Sequence, residues 1–494
     1  MLEAAQLGLQ GILAWPAFGY LLLGIALGVF FGMVPGLSGL SGMAILLPFT
    51  FDLQAYEAMA LLMGMYAITS TSDTISSVLL GVPGTAGSQA TIMDGYPLAK
   101  KGEAARAFGA AYTVSGFGGV VGAVLLVLSI PILSPLVLSF GAPEFFLLGV
   151  LGMAMVGALS GNAPAKGILV GLLALQFSMI GYSPQDGIPR FWFGVPYLLE
   201  GFPIVPCVLG LFSLPEVVQL AVRRGTLSEV PEMGKGLWDG VCDAARNWWL
   251  ALRCAVIGAY IGFIPGLGAS IVDWVAYGHA VQSNKDPEAE FGKGEIRGVI
   301  APESANNAMK GGSLIPTIAF GIPGSATMAI LLGAFLIHGI YPGPELLSTR
   351  LDVTFSVIWA LVIANILTAV LLMGCTNQLA KITTIRGSVL IPIILVLVFM
   401  GSWMATQELG DWLVLLGLGV LGYLMKRWGW PRPPIALGIV LGPIMERYLD
   451  ISVSRYGWAW LWERPICIIL ILMTLATLYY ATRAQMRRQQ PGEA

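Results

Sequence analysis

The chain has 494 residues, 56% of them hydrophobic and 11% charged, a formal net charge of -2 and a mean hydropathy of +0.79. Soluble domains carry about 25% charged residues, so the composition excludes an ordinary soluble domain, and the absence of a basic patch excludes a nucleic-acid-binding protein. It predicts an all-α polytopic membrane protein of roughly ten to thirteen membrane segments, because several apolar runs reach the ~20 residues that cross a ~30 Å hydrocarbon core.

The first run, Ile12 to Val34, has neither a basic n-region nor a small-residue cleavage site before it, so it reads as a retained helix rather than a signal peptide. Gly24, Gly28 and Gly32 recur at four-residue spacing, which suits close helix packing. The run ends at Pro35-Gly36-Leu37-Ser38, and proline beside glycine breaks a helix. The freed backbone groups are tolerated at membrane depth only where they line protein or a polar cavity. Thr69 to Ser77 follows, a stretch in which every residue but Ile75 carries a hydroxyl or carboxylate. Such a run is costly in lipid unless it faces a cavity or an ion, and oxygen-only ligands suit a hard cation such as Na⁺. Ser72, Asp73 and Thr74 are therefore cation candidates, with the alternative that the hydroxyls bond back to their own helix. A second break, Pro83-Gly84-Thr85, precedes Gly95-Tyr96-Pro97. Further apolar runs include Val120 to Leu133, and Pro206, Gly210 and Pro215 close the first half.

A polar stretch, Arg223 to Arg246, reads as a linker, and the pattern then repeats. Gly258 and Gly262 lead to Pro265-Gly266-Leu267 at the spacing seen in the first half, and Gly321-Ile322-Pro323-Gly324-Ser325 echoes Gly81-Val82-Pro83-Gly84-Thr85. Gly339 to Pro342 and the trio Pro434, Gly438 and Pro443 complete the echo. Landmarks kept in order at near-constant spacing mark a duplication, with repeat one at 12–220, a linker at 221–245, repeat two at 246–448 and a terminal membrane helix at 465–482. Upstream of the last break, Ala301 to Ala308 brings Glu303, Ser304, Asn306 and Asn307 together, followed by Lys310 and Ser313. Asn306 and Asn307 rank ahead of Glu303 and Lys310 as binding groups, because the charged stretch Lys285 to Arg297 just upstream is a solvated loop. Ser313 is a further cation candidate. Helices broken at matching places in two halves point to a transport site at the repeat interface. The helix N-termini after the breaks favour an anion such as a carboxylate.

Orientation follows from Lys and Arg in cytoplasmic loops. Arg483, Arg487 and Arg488 in the tail, and Arg223, Arg224, Lys235 and Arg246 in the linker, place both inside. A single terminal helix then makes the repeats inverted. The 447–464 segment, with Arg447, Arg455 and Arg464, weighs against this by simple counting, while Trp458, Trp460 and Trp462 suit an interfacial belt on either side. Other chemistries fit poorly. Gly234-Lys235 and Gly292-Lys293 are each followed by glycine, so no nucleotide-binding loop is formed. His279 and His338 are too few for a metal cluster, and Cys207, Cys242, Cys254, Cys375 and Cys467 lack paired spacing and read as packing residues. Gly36-Leu37-Ser38-Gly39 and Gly39-Leu40-Ser41-Gly42 fit the Gly-x-Ser-Gly pattern of intramembrane serine proteases. Repeat two keeps the break and drops the serine, at Gly266-Leu267-Gly268-Ala269.

The Pro-Gly-Leu segment after the glycine-spaced helix, Leu80-Gly81-Val82-Pro83-Gly84-Thr85, Asp94-Gly95-Tyr96-Pro97 with Lys100-Lys101-Gly102, and Ala301 to Ala308 with Gly321 to Ser325 resemble the large membrane subunit of the tripartite tricarboxylate transporter family over nearly the whole chain. The resemblance implies a non-enzymatic secondary carrier of the bacterial cytoplasmic (inner) membrane, without a cofactor. It further implies Na⁺ or H⁺ symport, a small four-helix membrane subunit, a periplasmic solute-binding protein that delivers a di- or tricarboxylate, and an elevator-like movement. The cargo would be held by Pro35, Gly36, Leu37, Ser38, Pro83, Gly84, Thr85, Pro265, Gly266, Leu267, Asn306, Asn307, Pro323, Gly324 and Ser325, and a coupling cation by Ser72, Asp73, Thr74 and Ser313. One departure stands out: the family pattern implies Gly-Gly-Ser in both halves, found at Gly311-Gly312-Ser313, whereas the first half has Thr71-Ser72-Asp73. A stand-alone carboxylate carrier and the protease remain as alternatives.

Overall fold

Glycine and proline divide the apolar sequence into helices. A computed structural model describes residues 1–34, 37–159, 164–222, 234–265, 269–286, 288–380 and 387–489. The first half contains α1 (Leu2–Leu13), α2 (Ala17–Met33), α3 (Gly39–Leu46), α4 (Ala55–Ser72), α5 (Thr74–Leu80), α6 (Thr91–Lys100), α7 (Ala104–Leu138), α8 (Ala142–Leu159), α9 (Pro164–Ser178), α10 (Ile204–Val208) and α11 (Leu214–Val222). The second contains α12 (Leu237–Arg246), α13 (Trp248–Phe263), α14 (Ala269–Ser283), α15 (Arg297–Phe320), α16 (Ala326–Ile337), α17 (Leu351–Ala380), α18 (Gly387–Trp403), α19 (Leu409–Arg427) and α20 (Pro433–Tyr456). The short α21 (Trp460–Glu463) and α22 (Pro465–Gln489) end the described chain. A two-residue ribbon, Gly181 opposite Arg190 and Tyr182 opposite Pro189, is the sheet seen among the described residues.

Among the described residues four helical stretches, Ala104–Leu138, Ile204–Val222, Leu351–Leu379 and Leu409–Arg427, are long and apolar enough to cross a membrane, and α1 with α2 forms a further candidate bent by 71°. The molecule is an all-α polytopic membrane protein.

The glycine ladders bring backbones together. A Cβ on Gly28 would stand 2.9 Å from the Met65 carbonyl oxygen, and one on Gly32 2.7 Å from that of Thr69. In the second half Gly258 abuts the Ala305 carbonyl and Gly262 that of Met309. Met65 and Ala305, like Thr69 and Met309, are thus equivalent places, and α4 with α5 corresponds to the unbroken α15. Small residues at four-residue spacing on one helix face permit this approach.

The halves also grip each other reciprocally. α1 packs on α17 while α12 packs on α7, and α4 packs on α17 while α15 packs on α7. Gly8 lies on the backbone of Asp352 and Ser356, and Gly240 on that of Arg106 and Ala110.

Several expectations need correction. The C-terminal part of the 221–245 linker is helical: α12 occupies 237–246 and is seated on α7 by Gly240 and Ala244 and by Asp243, which accepts from Arg106 at 2.7 Å. Helix α1 starts at Leu2 and α12 at Leu237, ahead of residues 12 and 246. The 447–464 segment is largely helical, since α20 runs to Tyr456, and Trp460 is 1% exposed in the core rather than at an interface. The terminal helix continues beyond 482 to Gln489, for no proline or glycine interrupts it there and basic residues favour a helix C-terminus. Among the cysteines, Cys375 is exposed rather than packed.

Candidate functional site

The polar run of the first half lies where α4 gives way to α5. Asp73 is the junction residue, fully buried. Its backbone carbonyl accepts the Ser76 hydroxyl at 2.9 Å and the Ser77 hydroxyl at 3.1 Å, so both serines bond back to their own helix. The Ser72 hydroxyl donates to Gly28 O at 3.1 Å and Ile68 O at 3.2 Å, fastening α4 to α2. Thr74 is buried at the start of α5.

Beyond α5, Gly81 takes a left-handed φ of 63°, as Gly321 does at 68° after α15. A left-handed residue closing a helix is a role that favours glycine. The chain then folds back over its own helix. A Cβ on Gly84 would lie 2.6 Å from Asp73 Cβ and 2.7 Å from Gly32 O, and one on Gly324 2.9 Å from both Gly262 O and Ser313 Cβ. Each Pro-Gly break therefore sits at the end of its glycine-ladder helix. The Thr85 hydroxyl donates to Asp73 Oδ2. Oδ1 of Asp73 is buried with no hydrogen-bond partner among the described residues.

Facing this layer is α15, whose Glu303, Asn306, Asn307, Lys310 and Ser313 share one helix face and are buried. Thr91 donates to Glu303 Oε1 at 2.8 Å and Ser115 to Oε2 at 3.1 Å. Asn306 Nδ2 donates to Gly87 O at 2.9 Å, leaving its Oδ1 without a partner among the described residues. Asn307 is spent on structure, accepting from Thr71 at 3.1 Å and donating to Glu303 O at 3.3 Å. Lys310 Nζ donates to Tyr66 O at 2.7 Å and Ala67 O at 3.0 Å, and the Tyr66 and Ser313 hydroxyls lie 2.7 Å apart. Asp73, Glu303 and Lys310 are within electrostatic range of one another.

Of the residues named from sequence, the structure gathers Ser72, Asp73, Thr74, Gly84, Thr85, Asn306, Asn307, Ser313 and Gly324 about the α4–α15 crossing. Leu37 and Pro265 are buried, Pro323 is buried and Pro83 exposed. Pro35, Gly36, Gly266 and Leu267 lie outside the described residues. The helix N-termini beyond the breaks already hold caps: Ser38 accepts from Ser41 N at 3.2 Å, Thr85 from Gly87 N at 3.2 Å and Ser325 from Met328 N at 3.3 Å. After Pro83-Gly84 there is a single turn, Ala86–Ser88, before α6. An anion would meet these hydroxyls together with the remaining amides. Tyr66, Thr91 and Ser115 were not singled out from sequence, and Glu303 and Lys310 were ranked behind the two asparagines. Their signal was the i, i+3/i+4, i+7 spacing of Glu303, Asn306/Asn307 and Lys310, one stripe of a helix.

Glu303→Ala is expected to destabilise the purified protein by about 3–5 kcal/mol, since it strands the Thr91 and Ser115 hydroxyls and removes a counter-charge of Lys310. Thermal unfolding in detergent checks this, with Glu303→Gln expected to cost clearly less.

The serine-protease reading has no geometry behind it. Ser38 and Ser41 hydroxyls lie 2.9 Å apart, paired with each other, and no bond joins either to His279 or His338, whereas a nucleophile needs a base within reach. Among the described residues no group of three or more His, Cys, Asp or Glu is placed to hold a metal ion.

Residues 18–437 match the family model described as "Tripartite tricarboxylate transporter TctA family". The chain is similar to an "Uncharacterized 52.8 kDa protein in TAR-I ttuC' 3'region" of Agrobacterium vitis, 31% identical over 470 residues, covering 95% of this chain and 93% of the relative. An "Uncharacterized protein in TAR-II ttuC' 3'region" of the same organism is 32% identical over 235 residues, covering 47% of this chain and 97% of the relative. No solved structure matches significantly.

Proposed function

Because the chain belongs to the tripartite tricarboxylate transporter TctA family, a family of transporter membrane subunits and not of enzymes, we propose that it imports a di- or tricarboxylate, or a related organic anion, by symport with Na⁺ or H⁺ across the bacterial inner membrane. The carrying observation is the buried layer at the α4–α15 crossing, where Asp73 Oδ1 and Asn306 Oδ1 are buried oxygens with no donor among the described residues. Buried oxygens of this kind are costly to leave unpaired, and a cation or proton relieves Asp73. The cargo carboxylates sit between the Pro-Gly breaks of the two halves, on Ser38, Thr85, Ser325 and the amides they flank, where Pro35, Gly36, Leu37, Pro83, Gly84, Pro265, Gly266, Leu267, Pro323 and Gly324 shape the backbone. Asn306 faces the cargo with its free carbonyl oxygen, and Asn307 acts through its bond to Thr71. Ser72, Thr74 and Ser313 complete the surroundings of the Asp73 cation.

The reciprocal packing of α1 on α17 and α12 on α7 supports a two-fold relation between repeats, and the basic tail and linker support its lying in the membrane plane as an inverted repeat. By analogy with other carriers built from inverted repeats, the hairpin-bearing part makes an elevator-like movement. The chain works with a small four-helix subunit and a periplasmic binding protein.

Vesicles containing this chain and its small partner, supplied with labelled di- and tricarboxylates, test the reading. Uptake is expected to require both an inward cation gradient and the cognate binding protein. Uptake independent of the binding protein would replace the tripartite reading with a stand-alone carrier, and uptake indifferent to Na⁺ and H⁺ gradients would remove symport.

A further inference from the structure

The α15 face brings a cation of its own into this layer. Lys310 is 1% exposed, and its ammonium sits on two main-chain carbonyls of α4, at 2.7 and 3.0 Å, and 5.4 Å from the centroid of the Tyr66 ring. Among the described residues no carboxylate stands within ion-pair distance of it. Carbonyl oxygens backed by an aromatic face are what a free monovalent cation would choose, so Lys310 is coordinated as an ion rather than paired as a salt bridge. The charged side chains that meet at the α4–α15 crossing, Asp73, Glu303 and Lys310, are two acids and one base. A buried excess charge is expensive, and a further cation at Asp73 relieves it. Asp73 Oδ1, buried without a donor, is the oxygen left to receive that cation.

The duplication shows that this is an exchange of roles and not a shared feature. The glycine contacts make Tyr66 and Asn306 equivalent, so the place of Lys310 is taken in the first half by Ser70, and the place of Asp73 is taken in the second half by Ser313. One half has an acid and no fixed cation; the other has a fixed cation and no acid at the corresponding position. We propose that Lys310 is a tethered cation, occupying permanently a place that would otherwise bind a free monovalent ion, so that the chain exchanges a single coupling cation, at Asp73. The inference rests on the symport reading and specifies its stoichiometry.

The test uses the purified full chain and compares the melting temperature in NaCl with that in choline chloride at equal ionic strength. For Lys310→Ala, which frees the α4 carbonyls, the melting temperature in choline chloride is expected to fall by roughly 5 °C. NaCl should restore it, because an ion bound to the folded state stabilises by mass action. Lys310→Met fills the volume with an uncharged chain, so it should fall similarly and show no such restoration. An alanine variant equally impaired in both salts, or a methionine variant that melts like the parent, would overturn the proposal. The unaltered protein gives a check that needs no variant: equilibrium binding of radioactive Na⁺, or of protons by calorimetric release where Na⁺ has no effect, should saturate at one per chain, and two exchangeable cations would also overturn it. Absence of any cation effect on uptake by the unaltered protein would instead sink the symport reading, an outcome read in a separate assay.

Discussion

Asp73→Asn is expected to reduce cation-stimulated uptake by roughly 100-fold or more while shifting the melting temperature by no more than about 2–3 °C. The side chain is fully buried, receives the Thr85 hydroxyl on one oxygen and offers the other to no described donor. The amide keeps the volume and an oxygen for Thr85, so packing and folding change little. What it loses is the negative charge that receives the cation, and about 2.7 kcal/mol of lost cation affinity is enough for the stated loss since each ~1.4 kcal/mol is tenfold. Uptake should be measured against the cation gradient alongside thermal unfolding. Undiminished stimulation by the gradient would show that the coupling ion sits elsewhere; equal losses of uptake and of stability would reduce Asp73 to a structural acid.

Gly258→Val is expected to abolish accumulation of folded protein. The added Cβ would fall on the Ala305 carbonyl of α15, closer than any real contact allows, and both parties are backbone of packed helices. Neither can rotate away, so α13 and α15 must separate, which opens the layer holding Glu303 and Lys310. Losses above about 4–5 kcal/mol are exceptional for single substitutions and arise from such causes. Gly278→Ala is the control, for nothing lies within 4 Å of its added carbon and alanine favours a helix interior by ~1 kcal/mol. Monodisperse yield on size exclusion in detergent should be near zero for the valine variant and unchanged for the control. A normal profile for Gly258→Val would mean that the two helices are not in backbone contact.

How much of this was legible beforehand depended on whether backbone or side chain carried the message. The breaks and ladders were legible because a chain that turns inside an apolar layer, or presses backbone on backbone, has little choice but proline and glycine. Asp73 stood out because a carboxylate in an apolar run demands a reason. Glu303 and Lys310 were ranked behind the asparagines because the charged stretch ending at Arg297 made them look like its continuation, although their spacing along α15 marked one face. The helix α12 was hidden for the opposite reason: the residues it buries are Gly240 and Ala244, which carry almost no hydropathy, and Asp243, whose charge is met by Arg106 of α7. The roles of Asn306 and Asn307 differ only through partners on other elements, Gly87 and Thr71, which no local pattern contains.

The crossing of α1 onto α17 and α12 onto α7 bears on how the protein is made. During synthesis the first helix emerges long before its seat, because Gly8 rests on backbone that does not exist until the ribosome has passed Ser356. Until then the early half has an open flank inside the bilayer, and the late half cannot mature alone, since α12 needs α7. Neither half is a finished object that later acquires a companion. Biogenesis must hold the early segments in a waiting state, and a ribosome that stops between the halves releases an orphan that quality control has reason to degrade.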